Sequence, residues 1–164
     1  MEIRKVELPL VRAGFVLFTV ALLTGIAVPA FLNPRMAVAA HLTAILNALL
    51  LIVLGITWGF FAFSPVQAKL TRAAFLYGAY TSWGVSCLAA AWGTSRATPL
   101  SGAGHTAAPW QETLVQGTQV SIVLVILAAA LSVLYALRSQ PTAKPISAVP
   151  LASAGPSPDD LRRP

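Results

Sequence analysis

A chain of 164 residues, 57% hydrophobic and only 10% charged, carries less than half the charge of an ordinary soluble domain, about 25%, too little to cover a water-facing surface. Its formal charge of +6 needs no nucleic-acid partner to explain it, because that sign is what an excess of Lys and Arg in cytoplasmic segments produces. The lone Cys87 sits inside such a block and supports neither a disulfide framework nor a thiolate metal site.

Four apolar blocks follow in order, each long enough for the roughly 20 residues that a helix needs to cross a bilayer. The first runs from about Leu10 to Leu32, behind Arg4 and Lys5. Val28-Pro29-Ala30 loosely resembles a signal-peptide cleavage site, but the apolar stretch exceeds the about 7–15 residues of a signal core, so a retained helix is expected. The second block runs from Ala37 to Phe63, the third, least apolar one from Ala68 to Trp92, and the fourth from Leu114 to Leu137. No alternation of period two suggests a barrel. The chain therefore reads as an all-α integral membrane protein. A four-transmembrane-helix bundle occupies residues 1–138, and the Pro- and Ser-rich tail, 139–164, is expected to be disordered.

Lys and Arg set the orientation of such a bundle. Four spans place both termini on one side. That side holds Arg4, Lys5, Arg12, Lys69, Arg72, Arg138, Lys144, Arg162 and Arg163, while the other holds only Arg35 and Arg96. The bias predicts a multi-pass inner-membrane protein with both termini in the cytoplasm. Tight connections at Asn33–Met36 and Ser64-Pro65 contrast with the long stretch Gly93–Glu112, rich in Gly, Ser, Thr and Pro. Its length suggests a lid or a disordered segment.

Chemistry has to come from polar groups inside the spans, where they are costly. No Asp, Glu, Lys or Arg lies deep in a block, and Glu112 stands at the mouth of the last one. His41, the one histidine within a span, is the sharpest candidate. An imidazole there can ligate a metal or shuttle a proton; equally, it can pack as a structural group bonded to a carbonyl or to a glutamine of the last helix. A single histidine is short of a zinc site but suffices for a haem iron with one open face. Asn47, six residues on and about 120° around the helix, can border the same cavity or tie two helices together. Tyr80, Trp83 and Cys87 share one face of the third helix, a spacing that suits packing. Gln116 and Gln119 share a face of the fourth and can bond the long loop, a substrate or each other. His105, in that loop, reads as solvated.

Asn33-Pro34-Arg35-Met36, then His41-Leu42, then Asn47 resembles the signature of the hydroxylaminobenzene mutases. Leu76–Trp83, Trp92-Gly93 and Gln111-Glu112 are similar to the same family, and the likeness spans roughly residues 10–138. The chain departs from the family pattern at Ala37, Thr43 and Ala48. A more distant likeness is to styrene oxide isomerase, a four-helix membrane protein with a His and an Asn six residues apart on its second helix.

The resemblance implies an isomerase that converts hydroxylaminobenzene to 2-aminophenol by intramolecular hydroxyl transfer, a reaction of nitroaromatic degradation with no net redox change. It further implies a haem b held by His41, a substrate-contacting Asn47, and a homo-oligomer, specifically a trimer, in the lipid bilayer. The related enzyme's active-site tyrosine has no clear counterpart; Tyr80 is the candidate, and Ser82 joins Asn47 as a group able to orient a small aromatic hydroxylamine. Two other classes stay open. A membrane haem protein for electron transfer would need a second axial ligand, from Met36 or another subunit. A small four-helix exporter would ordinarily need a membrane-embedded carboxylate.

Overall fold

A proline stands in the first turn of every α-helix, where its missing N–H costs no hydrogen bond and its fixed φ suits the helix. The computed structural model describes residues 6–138; Arg4, Lys5 and the 139–164 tail, with its expected disorder, lie outside the described residues. The helices are α1 (Leu8–Ala27), α2 (Pro34–Thr57), α3 (Pro65–Trp92), the short α4 (Pro99–Gly102) and α5 (Pro109–Arg138). 3-10 turns at Val28–Ala30 and Trp58–Phe60 prolong α1 and α2, and the described residues contain no strand. Each long helix begins a few residues ahead of its apolar block. The blocks mark where apolar side chains begin, whereas the helices begin at Pro, with a capping side chain ahead of α2 and α3. Ser64 accepts from the Gln67 N–H at 3.3 Å at the start of α3, and Asn33 accepts from the Met36 N–H at 3.1 Å at the start of α2.

Among the described residues three helices are long and apolar enough to cross a membrane: Leu8–Ala30, Pro34–Phe60 and Pro109–Leu137. At 28 residues α3 has the length, roughly 42 Å at 1.5 Å per residue, but it is less apolar. The reason lies in its position. It packs between α2 and α5 and also reaches α1, and its polar groups bind those neighbours. Gln67 and Thr71 bond Ser132 of α5, Tyr77 bonds Ser121, and Arg72 pairs with Glu7 at 2.7 Å. Lipid chains offer helices no hydrophobic drive to associate, so close packing and such hydrogen bonds hold them together.

Close packing dominates between α1 and α2. Leu10, Leu17 and Ala21 of α1 are buried to completion with Ala44, Ala48 and Leu51 of α2. A Cβ on Gly14 would lie 2.8 Å from the Ala48 carbonyl oxygen, so the two backbones meet directly there. Helix α5 is the peripheral element. It docks on α3 and turns Val123, Leu124 and Leu127 outward.

The Gly93–Glu112 stretch is an ordered cap, which removes its reading as a disordered segment. Gly93 ends α3 with φ +69°, a left-handed conformation that suits glycine. Both oxygens of the buried Glu112 then accept backbone N–H groups, from Ser95 and from Arg96, each at 2.9 Å. On the other flank Asn33 is a hub. Its side-chain nitrogen donates to the Ser101 carbonyl at 2.8 Å, and its backbone N–H donates to the Ala90 carbonyl at 3.0 Å. Arg35 reaches the Leu100 carbonyl, and a ring nitrogen of His105, Nε2, donates to the Leu32 carbonyl at 3.2 Å. His105 thus ties the cap to the α1–α2 turn. The Asn33–Met36 motif does structural work: it starts α2 and fastens the cap over that end.

Candidate active site

His41 lies in the second turn of α2 and faces α1. Its Nδ1 stands 2.7 Å from the Ala21 carbonyl oxygen. A carbonyl can only accept, so Nδ1 carries the proton, and in the neutral ring Nε2 keeps its lone pair. No hydrogen bond from the described residues reaches Nε2. Gly25 supplies the room for this pose, since a Cβ there would come within 2.9 Å of the ring atoms Cε1 and Nδ1. The histidine is thus bonded to a carbonyl, as its structural reading expects, but through one nitrogen only.

The same geometry answers whether these residues fit a haem. A metal-bound histidine usually donates its second ring N–H to a carbonyl or carboxylate, which fixes tautomer and orientation. Ala21 and Gly25 hold His41 in that state, with Nε2 open as a donor to iron. The described residues contain no group of three or more His, Cys, Asp or Glu placed to hold a metal ion, so a polydentate metal site has no support. His41 fits a haem that needs one protein ligand.

Asn47, about 120° around α2 from His41, points toward α3. Its Nδ2 donates to Ser82 Oγ at 2.6 Å and faces the Ala79 carbonyl at 3.4 Å. Ser82 in turn donates to Ala79 at 3.2 Å. The carbonyl again fixes which amide atom faces it, and Oδ1 is left without a partner among the described residues. Asn47 and Ser82 therefore meet, as one interhelical contact with one open acceptor. Tyr80 does not join them. Its hydroxyl donates to the Ala13 carbonyl of α1 at 2.8 Å and keeps only oxygen lone pairs for anything else. Trp83, on the same face of α3, donates to Thr24 of α1 at 3.1 Å. Tyr80 and Trp83 fasten α3 to the helix that supports His41.

The remaining candidates have separate places. Met36, the alternative second haem ligand, is buried with Ala37, Val85 and Val115 and faces the Thr98 hydroxyl at 3.8 Å. Gln111 caps its own helix, its Oε1 accepting from the Ala108 N–H at 2.9 Å. Gln116 and Gln119 bond neither the cap nor each other. Two supports were not visible in the sequence: the Ala21 carbonyl, since a backbone acceptor has no residue signature, and Gly25, which looks like any glycine of an apolar helix.

The chain is similar to known proteins over most of its length. The model of the family described as Styrene oxide isomerase matches residues 7–138. Hydroxylaminobenzene mutase HabB of Ectopseudomonas oleovorans is 33% identical over 150 residues, 91% of this chain and 90% of that protein. Hydroxylaminobenzene mutase HabA of the same organism is 36% identical over 107 residues, 65% of this chain and 79% of that one. No solved structure gives a significant match. Since the matched stretch includes every helix and both open-valence side chains, the chain belongs to the styrene oxide isomerase family and is an isomerase.

Proposed function

We propose that this isomerase converts hydroxylaminobenzene to 2-aminophenol by intramolecular hydroxyl transfer, with His41 holding a haem b and Asn47 orienting the substrate. The observation that carries the proposal is the state of His41, whose Nδ1–H is fixed on the Ala21 carbonyl at 2.7 Å with Nε2 left open. Similarity to proteins named hydroxylaminobenzene mutase supports the substrate.

When bound, a haem iron supplies a Lewis acid that stabilises negative charge on oxygen as an N–O bond lengthens. The chain's residues do the rest. Ala21 and Gly25 fix the ring that holds the group. Asn47 Oδ1, aimed by the Ser82 and Ala79 contacts, accepts a hydrogen bond from the hydroxylamino N–H or O–H and sets the ortho carbon in place. A site within the membrane spans excludes bulk water, which would otherwise trap an electron-poor arylnitrogen species. Ser82 acts by fixing the amide, and Tyr80 by holding α3 to α1, with its oxygen able to accept from the substrate. Glu112, at the mouth of α5, is bonded to the cap and does not supply the membrane-embedded carboxylate that the exporter reading needs.

Membranes containing the protein are expected to form 2-aminophenol from hydroxylaminobenzene with no NAD(P)H or oxygen added. A strict need for a reductant, or 4-aminophenol as the main product, contradicts the proposal. The same reading makes α3 a fourth span and places both termini in the cytoplasm of an inner-membrane protein, with the chain assembled as a homotrimer. The basic residues support that orientation, since Lys69 and Arg72 lie at one end and Arg35 and Arg96 at the other. Reporter fusions within 95–106 and the particle mass in detergent test these points; a cytoplasmic reporter or a monomeric mass overturns them.

A further inference from the structure

The starts of α1 and α3 and the end of α2 meet at one rim of the bundle. Glu7, just ahead of α1, donates its backbone N–H to the Gly55 carbonyl at 2.9 Å and pairs its side chain with Arg72 of α3 at 2.7 Å. A Cβ on Gly55 would lie 3.0 Å from the Glu7 carbonyl oxygen, so a glycine suits this close approach. The rim lies at a membrane boundary. The apolar span Leu8–Ala30 begins at the residue after Glu7, and the span Pro34–Phe60 ends with the 3-10 turn that Trp58 opens. The Trp58 ring stands 6.3 Å from Phe61 and 5.0 Å from Phe63, centroid to centroid. Tryptophan gathers where the hydrocarbon layer meets the headgroups.

A cleft of about 250 Å³ opens at this rim, lined by Glu7, Trp58, Pro65, Ala68, Lys69 and Arg72. It is smaller than the roughly 300 Å³ at which pockets for drug-sized molecules begin. Its lining is rich in hydrogen-bond donors. The Lys69 ammonium and the Trp58 indole N–H have no hydrogen-bond partner among the described residues. Arg72 uses only Nη1 on Glu7, which leaves the rest of its fork of N–H groups. Glu7 is the one carboxylate of the lining, and one of its oxygens already holds Arg72. Two cations, Lys69 and Arg72, against that single anion leave the cleft with one net positive charge.

We propose that this cleft seats the phosphate headgroup of an anionic membrane phospholipid. A phosphodiester carries one negative charge and only acceptor oxygens, which matches a lining of one net positive charge and spare donors. Lys69 and the free N–H groups of Arg72 hold the phosphate oxygens by charge-assisted hydrogen bonds, and the Trp58 N–H adds a neutral one. Basic pockets between transmembrane helices take anionic headgroups in this way. A zwitterionic headgroup suits the cleft less well, because its own cation would meet Lys69. The bilayer delivers a lipid phosphate to this level, whereas free phosphate has to come from the water. The bound headgroup ties the end of α2 to α3 beside the Glu7–Arg72 pair, so it braces the rim where three helices meet. The site is separate from the His41–Asn47 region and does not rest on the mutase reading.

Thermal unfolding of the full-length protein in a neutral detergent, followed as lipid is added, tests the site. Dioleoylphosphatidylglycerol is expected to raise the unfolding midpoint in a saturable way, while dioleoylphosphatidylcholine at the same concentrations and inorganic phosphate are expected to leave it unchanged. Lys69→Gln is expected to need about fivefold more phosphatidylglycerol for half of the shift. Trp58→Phe, which keeps a ring and removes the N–H, is expected to need about threefold more. Arg12→Gln is the control, since Arg12 is an exposed cation of the same end of α1 that does not line the cleft; its response is expected to match that of the unsubstituted protein. Equal stabilisation by phosphatidylcholine or by inorganic phosphate overturns the anionic lipid as occupant. A half-saturating concentration that stays the same in both Lys69→Gln and Trp58→Phe, or that moves as far in Arg12→Gln as in Lys69→Gln, shows diffuse attraction to negative charge and overturns the site.

Discussion

The two sides of α2 hold their polar side chains by different means. Toward α1, His41 is fixed by a backbone carbonyl and by the space at Gly25, which no other side chain supplies. Toward α3, Asn47 is fixed by the Ser82 hydroxyl with help from the Ala79 carbonyl. Each arrangement spends one end of its side chain on a neighbouring helix and leaves the other end open, Nε2 in one case and Oδ1 in the other. A backbone acceptor cannot be mutated away, so the His41 side is sensitive to volume. The Asn47 side is sensitive to hydrogen bonding. We propose that the first side holds the cofactor and that the second orients the substrate toward it.

Substitutions on each side test that division. His41→Ala has the largest expected effect, abolishing conversion of hydroxylaminobenzene to within background while the helices still insert, because insertion depends on the apolar spans; quantifying the protein in the membrane fraction beside product formation checks both halves. Asn47→Ala is expected to lower turnover about 100-fold and to keep the haem absorption, since only substrate orientation is lost. A loss of haem in that variant would show that Asn47 helps to hold the cofactor. Gly25→Ala is the mildest. Its Cβ would meet the imidazole at 2.9 Å, so the ring must shift, with about a tenfold drop in activity and a displaced haem absorption maximum. Unchanged absorption and activity would show that the volume at Gly25 does not control the ring.

Much of the fold was legible because apolar runs are long and local. The α5 boundary was not, since its first turn, Pro109–Glu112, ends in the polar pair Gln111 and Glu112, which bond the cap. The weak hydropathy of α3 marks a helix wedged between others, and Gln67, Thr71 and Tyr77 show why: each bonds a residue of α5 more than forty positions away. His41 stood out as the one histidine in a span, and its chemical state came only from the carbonyl of Ala21, twenty residues earlier. Asn47 and Ser82 were both candidates, but their pairing joins positions 35 apart and no local pattern encodes it. The Asn33–Met36 motif stood out as a sequence signature, and its role as the hub of the cap required the Ser101 and Ala90 contacts.

The central claim is that His41 Nε2 holds the cofactor. The most direct measurement is the absorption spectrum of the detergent-purified protein beside that of His41→Ala at matched protein concentration. The account predicts a Soret band in the unsubstituted protein and its loss in the variant. A band of equal intensity in both, or no band in the unsubstituted protein while it converts hydroxylaminobenzene, contradicts the claim and returns His41 to a helix contact bonded to Ala21.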